Sequence, residues 1–116
     1  MTDLLVDLRD ALRAFAAERD WDQFHSPRNL AAALAVEAAE LLEPFQWLTD
    51  EQSRVLSAEA RAAVEQEMAD VLLYLVRLAD KLDVDLEQAA RTKIALNAEK
   101  YPVEKARRSS QKYDAL

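Results

Sequence analysis

Neither cysteine nor glycine occurs among the 116 residues, and there are only three prolines and one histidine. Each scarcity excludes something. Without cysteine there are no disulfides and no thiolate metal sites. Without glycine there is no Walker A loop and no Gly-rich Rossmann turn, because both need a backbone that approaches phosphate closely. A glycine-free, proline-poor chain is also a poor source of the tight turns of an all-β fold. One histidine cannot build a multi-histidine zinc site within a chain. No apolar run approaches the roughly 18 residues of a membrane span. Residues 1–10 are acidic and amphipathic, so no signal peptide is expected. The formal net charge is −7 and the pI about 4.7, which gives no support for the basic face of a duplex-DNA binder. A cytoplasmic protein with no nucleic-acid or membrane partner is expected. Phosphate-bearing ligands stay open, provided metal ions neutralise them.

What is present favours helix. Hydrophobic residues make up 51% and charged residues 32%. That balance suits a globular chain, and the length suits one domain over residues 1–116. Alanine, leucine, glutamate and arginine are abundant and all favour helix, so an all-α, four-helix-bundle-like fold is expected. The first helix covers about residues 3–18, with Thr2 as N-cap and Leu4, Leu5, Leu8, Leu12 and Phe15 on its apolar face. A break carrying Trp21, Phe24 and His25 follows. Ser26 and Pro27 open the second helix as N-cap and first helical residue. It runs through Leu30, Leu34, Glu37, Leu41 and Leu42 and ends or kinks at Pro44. Thr49 and Gln52 form a capping box for a short helix. Ser57 caps a third main helix through Val64, Glu67, Val71, Leu75, Leu78 and Leu82. The fourth runs from Asp85 to about Glu99. Pro102 closes the helical region, and a basic polar tail of about residues 103–116 carries Lys105, Arg107, Arg108 and Lys112.

Two acidic pairs stand where hydrophobic residues belong. Glu37/Glu40 and Glu67/Asp70 are each spaced i, i+3, so each pair shares a helix face. Glu37 follows Leu30 by seven and Leu34 by three; Glu67 follows Val64 by three and precedes Val71 by four. Those are core spacings. Spacing alone is weak, because five acidic pairs in this chain share it, and such pairs are commonly solvated. Wheel position separates them. Glu37 and Glu67 fall in apolar stripes with Glu40 and Asp70 beside them, whereas Asp7/Asp10 and Asp80/Asp83 are more easily turned to solvent. Unpaired core carboxylates are costly, and a cation removes that cost. An oxygen-only set suits Mg²⁺, Mn²⁺ or Ca²⁺. A di-iron bundle needs Glu-x-x-His on two helices, and His25 lies outside that pattern. Mg²⁺ is favoured, since it combines carboxylates with substrate phosphates. Lys93, Asn97 and Lys100 continue one face of the fourth helix from Leu86 and Ala90. Beside a metal site the lysines would contact phosphate, and Asn97 a sugar or base.

These residues together resemble a known family. Glu37-x-x-Glu40, a 26-residue interval, then Glu67-x-x-Asp70 is similar to the motif of the MazG-like all-α nucleoside triphosphate pyrophosphohydrolases. The run Glu18-Arg19-Asp20-Trp21-Asp22-Gln23-Phe24-His25-Ser26-Pro27-Arg28-Asn29-Leu30 looks like the segment before the second helix in the dCTP pyrophosphatase branch. Glu43-Pro44-Phe45-Gln46-Trp47, Ala69-Asp70-Val71-Leu72-Leu73-Tyr74-Leu75 and Lys93-x-x-x-Asn97-x-x-Lys100-Tyr101-Pro102 match later blocks. The resemblance implies Mg²⁺-dependent hydrolysis of a nucleoside triphosphate to monophosphate and pyrophosphate. It also implies a homo-oligomer, a tetramer built from dimers. By position, Glu37, Glu40, Glu67 and Asp70 would hold the metal. Trp21 and Trp47 would border the base, with His25 nearby, and Tyr74, Lys93, Asn97 and Lys100 would contact the nucleotide. dCTP or a 5-modified dCTP is the expected substrate, in nucleotide-pool sanitation. A non-catalytic metal-binding or oligomerisation module, or a relative acting on dUTP or phosphoribosyl-ATP, is the alternative. Arg107-Arg108-Ser109-Ser110 departs from relatives, which often carry a glycine there.

Overall fold

Side-chain caps set where the helices begin in the computed structural model, which describes residues 3–116. The helices are α1 (Asp3–Glu18), α2 (Pro27–Leu42), α3 (Asp50–Ser53), α4 (Ala58–Lys81), α5 (Leu86–Lys100) and α6 (Val103–Ala106). Single 3₁₀ turns span Asp22–Phe24 and Tyr113–Ala115. No strand occurs among the described residues. The Ser26 hydroxyl accepts from the Asn29 amide, and Pro27 takes the first position of α2. Thr49 and Gln52 form the full reciprocal capping box of α3. The hydroxyl of Ser57 and the carboxylate of Asp85 cap α4 and α5 in the same way. Each cap satisfies an amide that would otherwise be orphaned in the first turn. Thr2, the expected cap of α1, lies outside the described residues.

Helix ends show how a chain without glycine turns. At the end of α1 the Trp21 amide donates to the Ala16 carbonyl (2.9 Å) and the Asp20 amide to Ala17 (3.2 Å). At the end of α4 Val84 donates to Ala79 (2.8 Å) and Asp83 to Asp80 (3.2 Å). This is the Schellman pattern, whose C′ residue must be left-handed. Asp20 and Asp83 fill that position, each at φ 54°, because aspartate tolerates it better than most residues with a Cβ.

The chain divides into two compact units, one ending at Val84 and the other spanning Asp85–Leu116. In the first, α4 packs against both α2 and α1. Its buried apolar residues are Ala16, Leu30, Val64, Val76 and Ala79. Leu75 and Leu82, expected in the stripe of α4, are exposed instead. A seven-residue spacing drifts about 20° per heptad on a straight helix. Over the 24 residues of α4 that drift shifts the buried face onto Val76 and Ala79. Asp80 corrects a second expectation. Its side chain is only 11% exposed, because Arg13 and Arg77 both pair with it.

In the second unit α5 buries none of its residues. The tail holds more structure than its composition suggested. Pro102 stands at the N-cap of α6. Tyr113 in the last 3₁₀ turn packs edge-on against Tyr101, ring centroids 6.3 Å apart, with Lys100 Nζ over its ring at 5.0 Å. Arg108 adopts φ 64°, so the glycine missing at this point in the sequence falls where the backbone favours one. No helix of the described residues is long and apolar enough to cross a membrane.

Candidate active site

The packing of α2 on α4 brings two of the acidic motifs together. Glu37 projects from α2, and Glu67 and Asp70 from α4. One carboxylate oxygen of each lies within 4.8 Å of the others, and all three side chains are half-buried. Glu40 falls outside that triangle but sits beside Glu37, which it influences directly. Two oxygens, Glu37 Oε2 and Glu67 Oε2, are shielded from solvent and have no hydrogen-bond partner. Native proteins rarely leave such atoms unsatisfied. Burial pushes the Glu37 carboxyl up from its ordinary 4.5 to about 7, with the neighbouring carboxyl groups of Glu67, Glu40 and Asp70 adding to it. Orphaned acceptors, mutual repulsion and an oxygen-only donor set are what a hard divalent cation would satisfy.

Beside this cluster lies a cavity of about 460 Å³, a size that suits a small organic ligand. Leu8, Leu12 and Phe15 of α1, Trp21 and His25 of the following turn, and Asp70, Leu73, Tyr74 and Arg77 of α4 are among its walls. Phe15, Trp21 and His25 form an edge-to-face row, with centroid separations of 5.7 and 6.5 Å. The Schellman turn at Asp20 aims the chain so that Trp21 and His25 return over α1. Asp70 belongs to both the acidic cluster and the cavity wall.

Of the residues singled out in the sequence, Glu37, Glu67 and Asp70 converge, and Trp21, His25 and Tyr74 share the cavity with Asp70. Trp47 is not on that wall; it is 87% exposed after the end of α2. Lys93, Asn97 and Lys100 lie along α5 in the second unit, all exposed. Sequence reasoning missed Arg77. It is a buried charge on α4, 5% exposed, and its partners Asp22 and His25 are more than fifty positions away. Its position three before Asp80 was the only local signal.

With the site in view, the relationships of the chain are clear. The MazG-like family profile matches residues 32–116. Human dCTP pyrophosphatase 1 is 49% identical over 114 residues, covering 97% of this chain and 67% of its own length. The Bos taurus protein of that name is 48% identical, over 97% and 68%. The crystal structure of a pyrophosphatase from Archaeoglobus fulgidus superposes with a TM-score of 0.79 at 40% identity, over 88% of this chain and 95% of that one. The chain belongs to the MazG-like family, and its enzyme class is that of the nucleoside triphosphate pyrophosphohydrolases.

Proposed function

We propose that this protein is a Mg²⁺-dependent hydrolase that converts dCTP, or a 5-modified dCTP, to the monophosphate and pyrophosphate, in cytoplasmic nucleotide-pool sanitation. The observation that carries this reading is the double membership of Asp70. A base and sugar in the cavity would leave the triphosphate at the carboxylates. The named activity of the dCTP pyrophosphatases supports the choice of nucleotide.

Glu37, Glu67 and Asp70, with Glu40 beside them, would hold the metal. Bound there, Mg²⁺ would offset the charge of the carboxylates and triphosphate and would polarise the phosphoryl group under attack. A water held by one of the carboxylates would attack phosphorus, and pyrophosphate would leave. Glu40, at the edge of the cluster, is assigned to orienting that water. Trp21 and Tyr74 offer aromatic surface to the base. Lys93 and Lys100 are assigned to phosphates and Asn97 to sugar or base.

The protein would act as a homo-oligomer, a tetramer built as a dimer of dimers. Met68, Leu72 and Leu75 make an i, i+4, i+7 apolar stripe on α4 that this chain leaves exposed, and such a stripe suits a helix of a second copy. Trp47 would border the base pocket in that assembly. Purified protein with Mg²⁺ should release pyrophosphate, not orthophosphate, from dCTP. A panel that includes dUTP and phosphoribosyl-ATP and yields pyrophosphate from none of its members defeats the enzymatic reading. Light scattering that finds a monomer at micromolar concentration defeats the oligomeric one.

A further inference from the structure

Arg77 is the one buried charged residue among the described residues, and the reaction outlined above makes no use of it. Its guanidinium is held on three sides. Nη2 donates to Asp22 Oδ1 at 2.7 Å, Nη1 to Asp80 Oδ2 at 3.4 Å, and Nε to His25 Nδ1 at 3.1 Å. The two carboxylates are themselves fixed from outside. Arg13 Nε donates to Asp80 at 2.7 Å, and Lys81 donates to Asp22. The fork therefore has little freedom to turn away from His25.

An arginine side chain has donors only. A histidine nitrogen facing one must accept, so it cannot carry a proton. The His25 proton is thereby confined to Nε2, the remaining ring nitrogen. That atom has no hydrogen-bond partner among the described residues, the one side-chain bond of His25 being to Arg77, and His25 lines the cavity beside Trp21. Burial, with the charges of Arg77 and Lys81, holds the imidazole below its ordinary range despite the opposing charge of Asp22. That direction agrees with an Nδ1 that accepts from Arg77.

We infer that Arg77 is a positioning residue that fixes the His25 proton on Nε2, so that the cavity wall presents a one-way hydrogen-bond donor selecting cytosine over uracil. The inference rests on the proposed function, since it concerns base choice in the same cavity. The chemistry is a matter of polarity. Ring nitrogen N3 of cytosine is an acceptor, whereas N3 of uracil carries a hydrogen. A histidine free to exchange tautomers can satisfy either base; one locked by Arg77 meets cytosine N3 and opposes uracil N3–H. A buried donor facing a donor discriminates strongly, because neither group can be satisfied.

His25 is the only histidine of the chain, so tag-free protein labelled with ¹⁵N-histidine gives a single imidazole pattern. The expected wild-type pattern near pH 7.5 is that of a pure Nε2–H tautomer. Arg77→Met should shift it to a tautomer average and lower the dCTP-to-dUTP ratio of kcat/KM by at least about tenfold, mainly by lowering KM for dUTP. A wild-type Nδ1–H or averaged pattern overturns the inference without any variant, so misfolding of Arg77→Met cannot shelter it. An altered tautomer with an unchanged nucleotide ratio also overturns it. If neither nucleotide yields pyrophosphate, the proposed function fails and base selection with it, while the tautomer pattern still decides what Arg77 does to His25.

Discussion

Replacing Glu67 by glutamine removes one negative charge from the acidic cluster with almost no change in side-chain size. The structure fixes the direction of two effects. Glu67 is, after burial, the largest contributor to the raised pKa of Glu37. Its loss should lower that pKa from about 7 part of the way to the ordinary value, since burial, Glu40 and Asp70 remain. A glutamine amide at the same place can donate to Glu37 Oε2, which has no partner in the wild type. In metal-free buffer at pH 8 the Glu67→Gln protein should therefore unfold at a temperature about 2–4 °C higher than wild type. Activity should move the other way. Outer-shell partners of metal ligands cost about 10–100-fold when removed, so a ligand itself should cost more than about 100-fold in kcat/KM. The assays are thermal unfolding by circular dichroism, with and without Mg²⁺, and pyrophosphate release from dCTP. Wild type should gain more thermal stability from Mg²⁺ than the variant does. Turnover within threefold of wild type, or a fall in melting temperature without metal, would refute the assignment of a strained metal-binding cluster.

Three further outcomes follow from specific residues. The folded state holds the Glu37 proton more tightly than the unfolded chain does, so this contribution is complete below pH 4.5 and is lost as pH rises through about 7. In metal-free thermal unfolding, wild type should lose stability relative to Glu37→Gln across that window; Mg²⁺ at pH 8 should narrow the gap, and a constant gap would contradict the raised pKa. Asp83→Gly should stabilise the protein by about 0.5–1 kcal/mol in urea unfolding, because the residue sits at φ 54°; a loss of stability would mean the aspartate side chain matters more than its backbone. Leu30→Ala should cost about 2–5 kcal/mol in the same assay, since Leu30 is 1% exposed at the start of α2; a cost under 1 kcal/mol would show that α2 is not held by this contact.

The starts of α2, α3, α4 and α5 were legible from Ser26, Thr49, Ser57 and Asp85, because an N-cap is an interaction between residues two or three positions apart. The acidic motifs were legible for a similar reason. Helical periodicity puts Glu37 and Glu67 on the apolar faces of their own helices, and two such faces tend to meet. The relative rotation of two helices is not a local property. Accumulated drift along α4 exposed Leu75 and Leu82 and turned Val76, Arg77 and Ala79 inward. The tail of short helical turns was also hidden, since its order comes from Tyr113 packing on Tyr101 rather than from composition.

Sequence by itself determined an all-helical chain, the helix caps, and which carboxylates occupy core positions, since each depends on spacing within one helix or turn. Only the tertiary structure decided that Glu37, Glu67 and Asp70 share one triangle, that Asp70 also lines the cavity, and that Arg77 grips His25 52 positions away. Contacts between distant positions are set by how helices rotate and cross, and that is fixed by the summed packing of many side chains rather than by any motif.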